Sequence, residues 1–229
     1  MSFFGHLTEK PWLTEQGRID DLDDGVTFTL PRAKLALRIF LAVVTVLFVL
    51  LVIAYGERML HEDWRPAPPL QLLWLNTAML VVSSVALQWA KVAVGRAANS
   101  PLARRREMEH VKWGLTAAGV FGSAFLGGQI VAWWQLDSIP FFDITNNPAV
   151  AFFFLITGLH ALHMLGGLVA WGRTAAGMND DADLSRLRLS IELCTVYWHF
   201  LLAVWLVLFV LLFSGNDNLA TLLAICGIR

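Results

Sequence analysis

The sequence predicts an all-α integral membrane protein, a bundle of five transmembrane helices with a cytoplasmic N-terminus. Three observations carry that prediction. Hydrophobic residues make up 57% of the chain, with 10 Trp and 15 Phe, and only 15% of residues are charged, a balance foreign to a soluble domain. Five stretches each supply the roughly 20 apolar residues needed to cross about 30 Å of hydrocarbon. Lys and Arg then divide fourteen to three between the two sides that those stretches define, and the basic side is the cytoplasmic one.

The elements follow in order. Residues 1–32 form a polar cytoplasmic segment. Its acidic residues, among them Glu9, Glu15 and Asp20 to Asp24, leave no apolar stretch for a signal peptide, and the acidic run is a solvated surface. Pro31 precedes span 1, Ala33 to Tyr55, and suits a helix start. Arg65-Pro66-Ala67-Pro68-Pro69 breaks the chain before span 2, Leu70 to Val94. Asn99-Ser100-Pro101 and the basic cluster Arg104-Arg105-Arg106 read as a cytoplasmic turn. The partner expected for that cluster is anionic lipid head groups, not nucleic acid. Span 3 runs from His110 to Leu136. Pro140 and Pro148 bracket the next loop, where Phe141 and Phe142 suit the membrane interface. Span 4, Ala149 to Trp171, ends before a turn at Gly177 to Asp181. Span 5, Leu189 to Phe213, closes the bundle assigned to residues 33–213. Residues 214–229 form a tail on the outer side, and Leu219 to Ile225 is too short to cross. Cys194 falls in span 5 and Cys226 in the tail, so they do not pair, and no CxxC occurs to suggest a zinc ribbon or attached haem.

Within the spans, backbone groups must bond inside each helix, because hydrocarbon offers no other partner. Span 2 carries Asn76, Thr77, Ser83, Ser84 and Gln88, and Asn76 and Ser83 share a face two turns apart. Span 3 carries Gln129 and Gly119, Gly122, Gly127 and Gly128, the pattern of helices that approach closely and bond across amides. The cores of spans 1 to 4 hold no Asp, Glu or Lys, unlike a channel or pump. His160 and His163 share one face of span 4, and His199 reaches the same depth in span 5. Two uses of the histidines stand: His160 and His199 as axial ligands of a haem b, or hydrogen bonds to neighbouring helices or lipid with no metal bound. The bulk of Tyr197, Trp198 and Phe200 argues against room for a haem. Glu192 is the lone carboxylate candidate, too few for a di-iron site, and Arg188 lies one turn before it.

Four segments carry a family resemblance. Span 2 reads Leu75-Asn76-Thr77, Ser83-Ser84 and Trp89-Ala90. Span 3 offers Gly119, Phe125-Leu126 and Gln129. Span 4 reads Phe153-Phe154, Thr157-Gly158-Leu159-His160-Ala161-Leu162-His163 and Gly166. Span 5 reads Glu192, Tyr197-Trp198-His199-Phe200 and Trp205. Together they resemble subunit III of the haem–copper oxidases, in its five-span form. The resemblance implies a non-catalytic core subunit in a bacterial cytoplasmic membrane. It would pack on subunit I, near subunit II, of an oxidase that takes electrons from cytochrome c or a quinol to oxygen. Haem and copper would sit in those partners, with no cofactor or metal in this chain. Phospholipid would be held between the helices, and proton uptake sustained. The expected polar core is His160, His163, Glu192, Trp198 and His199, with Asn76 and Gln129. Arg96, Arg104, Arg105 and Arg173 are the expected head-group contacts. Three positions where the family carries acids are apolar here: Val44, Ala132 and Leu202. Two other functions stay open on sequence alone, a subunit III homologue accompanying a nitric oxide reductase and a haem-b electron carrier.

Overall fold

The computed structural model describes residues 32–62, 64–65, 71–100, 102–139, 147–178 and 184–213. The acidic run 20–24, Pro31, Phe141, Phe142, residues 179–181 and the tail lie outside them. Five helices account for most of the described chain: α1 (Arg32–Met59), α2 (Leu72–Asn99), α3 (Arg104–Asp137), α4 (Pro148–Ala176) and α5 (Leu184–Phe213). Each is long and apolar enough to span a membrane.

Each helix is longer than the stretch its hydropathy marks, although α2 begins two residues inside it, at Leu72. The largest difference is at α3, which starts at Arg104. The basic cluster is therefore its first turn and not part of the preceding loop. Arg is a good helix former, so the helix continues past the hydrocarbon into the head-group layer. Two exposed tryptophans on α3, Trp113 and Trp134, stand 21 residues apart, about 32 Å along a helix. That separation matches the hydrocarbon thickness of about 30 Å, and indoles favour both interfaces.

The α2–α3 pair is the most closely packed, and α5 joins α2 and α4 while α3 also meets α4. Small residues set that approach. A methyl group on Gly114 would lie 2.9 Å from both the Ala86 carbonyl oxygen and the Ala90 Cβ, so only glycine lets the backbones come this near. Gly119 makes a slot for the Trp171 indole, which a Cβ would overlap.

Helix α1 joins through long side chains. Its inward residues Val44, Phe48 and Tyr55 are buried against α4 and α5. Tyr55 also packs edge-on against Trp64 at 4.9 Å. Asn147 caps α4 and ties its start to the α1–α2 connection. Its side-chain oxygen accepts from the Ala149 N–H at 3.0 Å, and its amide donates to the Arg65 carbonyl at 3.0 Å. Asn at the N-cap with Pro148 next is a strong helix start.

Candidate functional site

Indole N–H groups fasten the core. Trp198 of α5 donates to Ser83 Oγ of α2 at 2.9 Å, and that hydroxyl donates to the Ala118 carbonyl of α3 at 2.7 Å. One serine thus joins three helices. Trp205 donates to Thr77 Oγ1 at 2.9 Å. Trp171 of α4 donates to the Leu115 carbonyl of α3 at 2.8 Å, and Trp133 of α3 donates to Thr157 Oγ1 of α4 at 3.0 Å. Buried indoles need such acceptors, and each bond also carries a large apolar surface inward.

The residues expected to form one polar core separate into three settings. Asn76, Gln129 and His160 are fully buried. Among the described residues, no group hydrogen-bonds to the side-chain nitrogens and oxygens of these three. His160 is ringed by Trp205 at 5.2 Å, Phe125 at 5.8 Å and Phe48 at 6.3 Å. His163 and Tyr197 form the second setting, where Tyr197 Oη donates to the His163 carbonyl at 2.8 Å. That bond joins α4 to α5 through the Tyr197 hydroxyl and a backbone carbonyl, not through an imidazole. His199 is exposed, and its Nδ1 bonds only to its own helix, at the Thr195 carbonyl, 2.8 Å away. Adjacent helical residues point about 100° apart, so burying Trp198 turns His199 outward. His160 and His199 therefore do not face a common space. Glu192 is partly buried on the N-terminal third of α5.

A furrow of about 460 Å³ lies between α1, α4 and α5, lined by Leu37 and Phe40 of α1, Gly166, Ala170, Arg173 and Thr174 of α4, and Ser190, Leu193, Cys194 and Tyr197 of α5. A separate hollow of about 310 Å³ lies between Thr45 to Ile53 of α1 and Phe200 to Leu208 of α5. The walls of the furrow are largely apolar. Arg173, Thr174 and Ser190 stand together at one end. Nothing in the sequence pointed to this furrow, because helices far apart in the chain form it. Arg96, Arg104 and Arg105 are exposed at the ends of α2 and α3.

Residues 32–216, all five helices, match the sequence profile of cytochrome c oxidase subunit III. The chain belongs to that family. A cytochrome c oxidase subunit 3 of Synechocystis sp. is 30% identical over 182 residues, covering 76% of this chain and 72% of its own. One of Thermostichus vulcanus is 29% identical over 164 residues, covering 68% and 73%. A Locusta migratoria subunit is 27% identical over 145 residues, and the match covers 63% of this chain and 50% of that one.

Within this subunit III fold, two positions read as replacing family acids are sealed. Val44 and Ala132 are buried and Leu202 is partly buried against the core. The apolar residues fit their surroundings, since an unpaired carboxylate at such places is costly. Among the described residues, no three His, Cys, Asp or Glu side chains gather in one place.

Proposed function

We propose that this chain is the non-catalytic subunit III of a haem–copper terminal oxidase in a bacterial cytoplasmic membrane. It seats on subunit I and holds phospholipid in the α1–α5 furrow. Residues 1–32 lie in the cytoplasm, 33–213 span the membrane and 214–229 lie outside. Haem and copper belong to the partner subunits. The observation that carries this reading is the furrow: a largely apolar trough with Arg173 at one end fits an acyl chain under an anionic head group. Arg173 is the head-group contact within it. Arg96, Arg104 and Arg105 serve lipids on the same side. The lipid fills the gap beside α1 and supports complex stability during sustained turnover and proton uptake.

The test is affinity purification of the tagged chain from native membranes in mild detergent. It is read by mass spectrometry of proteins and lipids and by a reduced-minus-oxidised spectrum. The expected result is a multi-span oxidase subunit, a haem signal and about one retained phospholipid per chain, with the isolated chain colourless. A nitric oxide reductase subunit as the sole catalytic partner, or haem bound by the isolated chain, overturns it.

A further inference from the structure

His199 sits at the middle of α5, a 30-residue helix, about 22 Å from either end. Its ring is exposed. The Nδ1 bond to a carbonyl oxygen puts a proton on Nδ1, and in the neutral imidazole that leaves Nε2 as the acceptor. At that depth neither water nor lipid tails supply a donor, and an unsatisfied polar group in hydrocarbon is costly. Intramembrane ionisable residues accordingly face protein or a wet cavity. Among the described residues, His199 is the one exposed ionisable side chain near mid-span. His163 differs: its Nδ1 also bonds one turn back, but its ring lies under Phe48 at 5.6 Å and Phe40 at 6.3 Å.

The residues around His199 form a seam. Glu192, Val196, His199, Ala203, Leu206 and Val210 follow one another at steps of four, three, four, three and four. All but Glu192, which is partly buried, are exposed. That 3.5-residue repeat is the register along which two right-handed helices pack in a left-handed supercoil. Ala203, one turn beyond His199, keeps the approach close.

We infer that this face of α5 is where the partner subunit docks, by a transmembrane helix that presents a hydrogen-bond donor to His199 Nε2 at mid-membrane. The inference rests on the accessory-subunit reading and adds the face and the chemistry. The donor is an uncharged side chain such as a hydroxyl, amide or indole, because a cation there would need a carboxylate and the seam offers Glu192 only near its N-terminal end.

The test uses the full-length chain in its native complex. A photoreactive benzoylphenylalanine is placed at Leu206 or Val210 on the seam, and at Val169 on the exposed side of α4 as a control. Seam positions are expected to cross-link to a transmembrane peptide of the catalytic subunit, and Val169 to lipid. His199→Leu should lower the catalytic subunit retained through a detergent wash at least tenfold, while His199→Gln, which keeps an acceptor, should restore most of it. The proposal is overturned if the complex co-purifies but the seam captures lipid or a second copy of this chain, or if His199→Leu retains the partner as wild type does. If no catalytic subunit accompanies the wild-type chain, the accessory-subunit reading itself fails.

Discussion

Replacing Trp198 with Phe tests the core of the structure at its most connected point. The indole is fully buried and donates to Ser83 Oγ at 2.9 Å. Losing that bond costs about 0.6 kcal/mol and at most about 1.7, the span found for interhelical bonds in membranes. The smaller ring also leaves a gap of roughly 40 Å³, worth about 1 kcal/mol at about 24 cal/mol per Å³. The expected loss is therefore about 1.5–2.5 kcal/mol. Ser83→Ala leaves the indole N–H without a partner, at about 1–2 kcal/mol, while the Ala118 carbonyl keeps its helical bond. The double variant has no orphan donor, so it should be less destabilised than the sum of the singles by about 1 kcal/mol. Reversible unfolding in mixed micelles with increasing SDS reads all four proteins. Additivity within about 0.3 kcal/mol would refute the claim that the bond joins α5 to α2.

Gly119→Ala should destabilise by about 1–3 kcal/mol, because its methyl overlaps the Trp171 indole. Gly127→Ala, with nothing within 4 Å of the added carbon, is the neutral control in the same titration. Arg173→Gln should reduce the anionic phospholipid that co-purifies, read by lipid mass spectrometry, and leave helix content by circular dichroism unchanged; unchanged lipid would remove Arg173 from the furrow's end. Trp113→Phe and Trp134→Phe, which leave the core indoles in place, should each remove a fluorescence component that lipids brominated near the head group quench most. Quenching by mid-chain bromine would mean that the membrane does not sit where the two exposed indoles place it.

The five helices were legible because apolar length is a property of contiguous sequence. Their ends were not, because hydropathy sees the edge of the hydrocarbon and not the edge of the helix: Arg104 to Glu109 is helical beyond that edge. The shared face of Asn76 and Ser83 was also readable, and the structure buries both with Thr77. The motif Tyr197-Trp198-His199 was harder. In sequence it is one cluster, yet helical rotation divides it into a bond to α4, a bond to α2 and an exposed ring. No local signal separates the buried indoles Trp198 and Trp205 from the exposed Trp113 and Trp134. Burial is decided by which helix arrives opposite.

The direction of the indole bonds bears on how the chain is made. Helices α2 and α3 are neighbours in sequence and pack most closely, so a ribosome delivers the hairpin before α4 and α5 exist. That hairpin already displays the acceptors at Thr77, Ser83 and Leu115. The donors Trp171, Trp198 and Trp205 come from the later helices. Each newcomer therefore meets a waiting acceptor, and only Trp133 must hold its N–H unused until Thr157 emerges. Insertion order and bond polarity agree at three of these four links. A permuted chain that translated α5 first would leave its two buried indoles without acceptors in lipid until α2 followed.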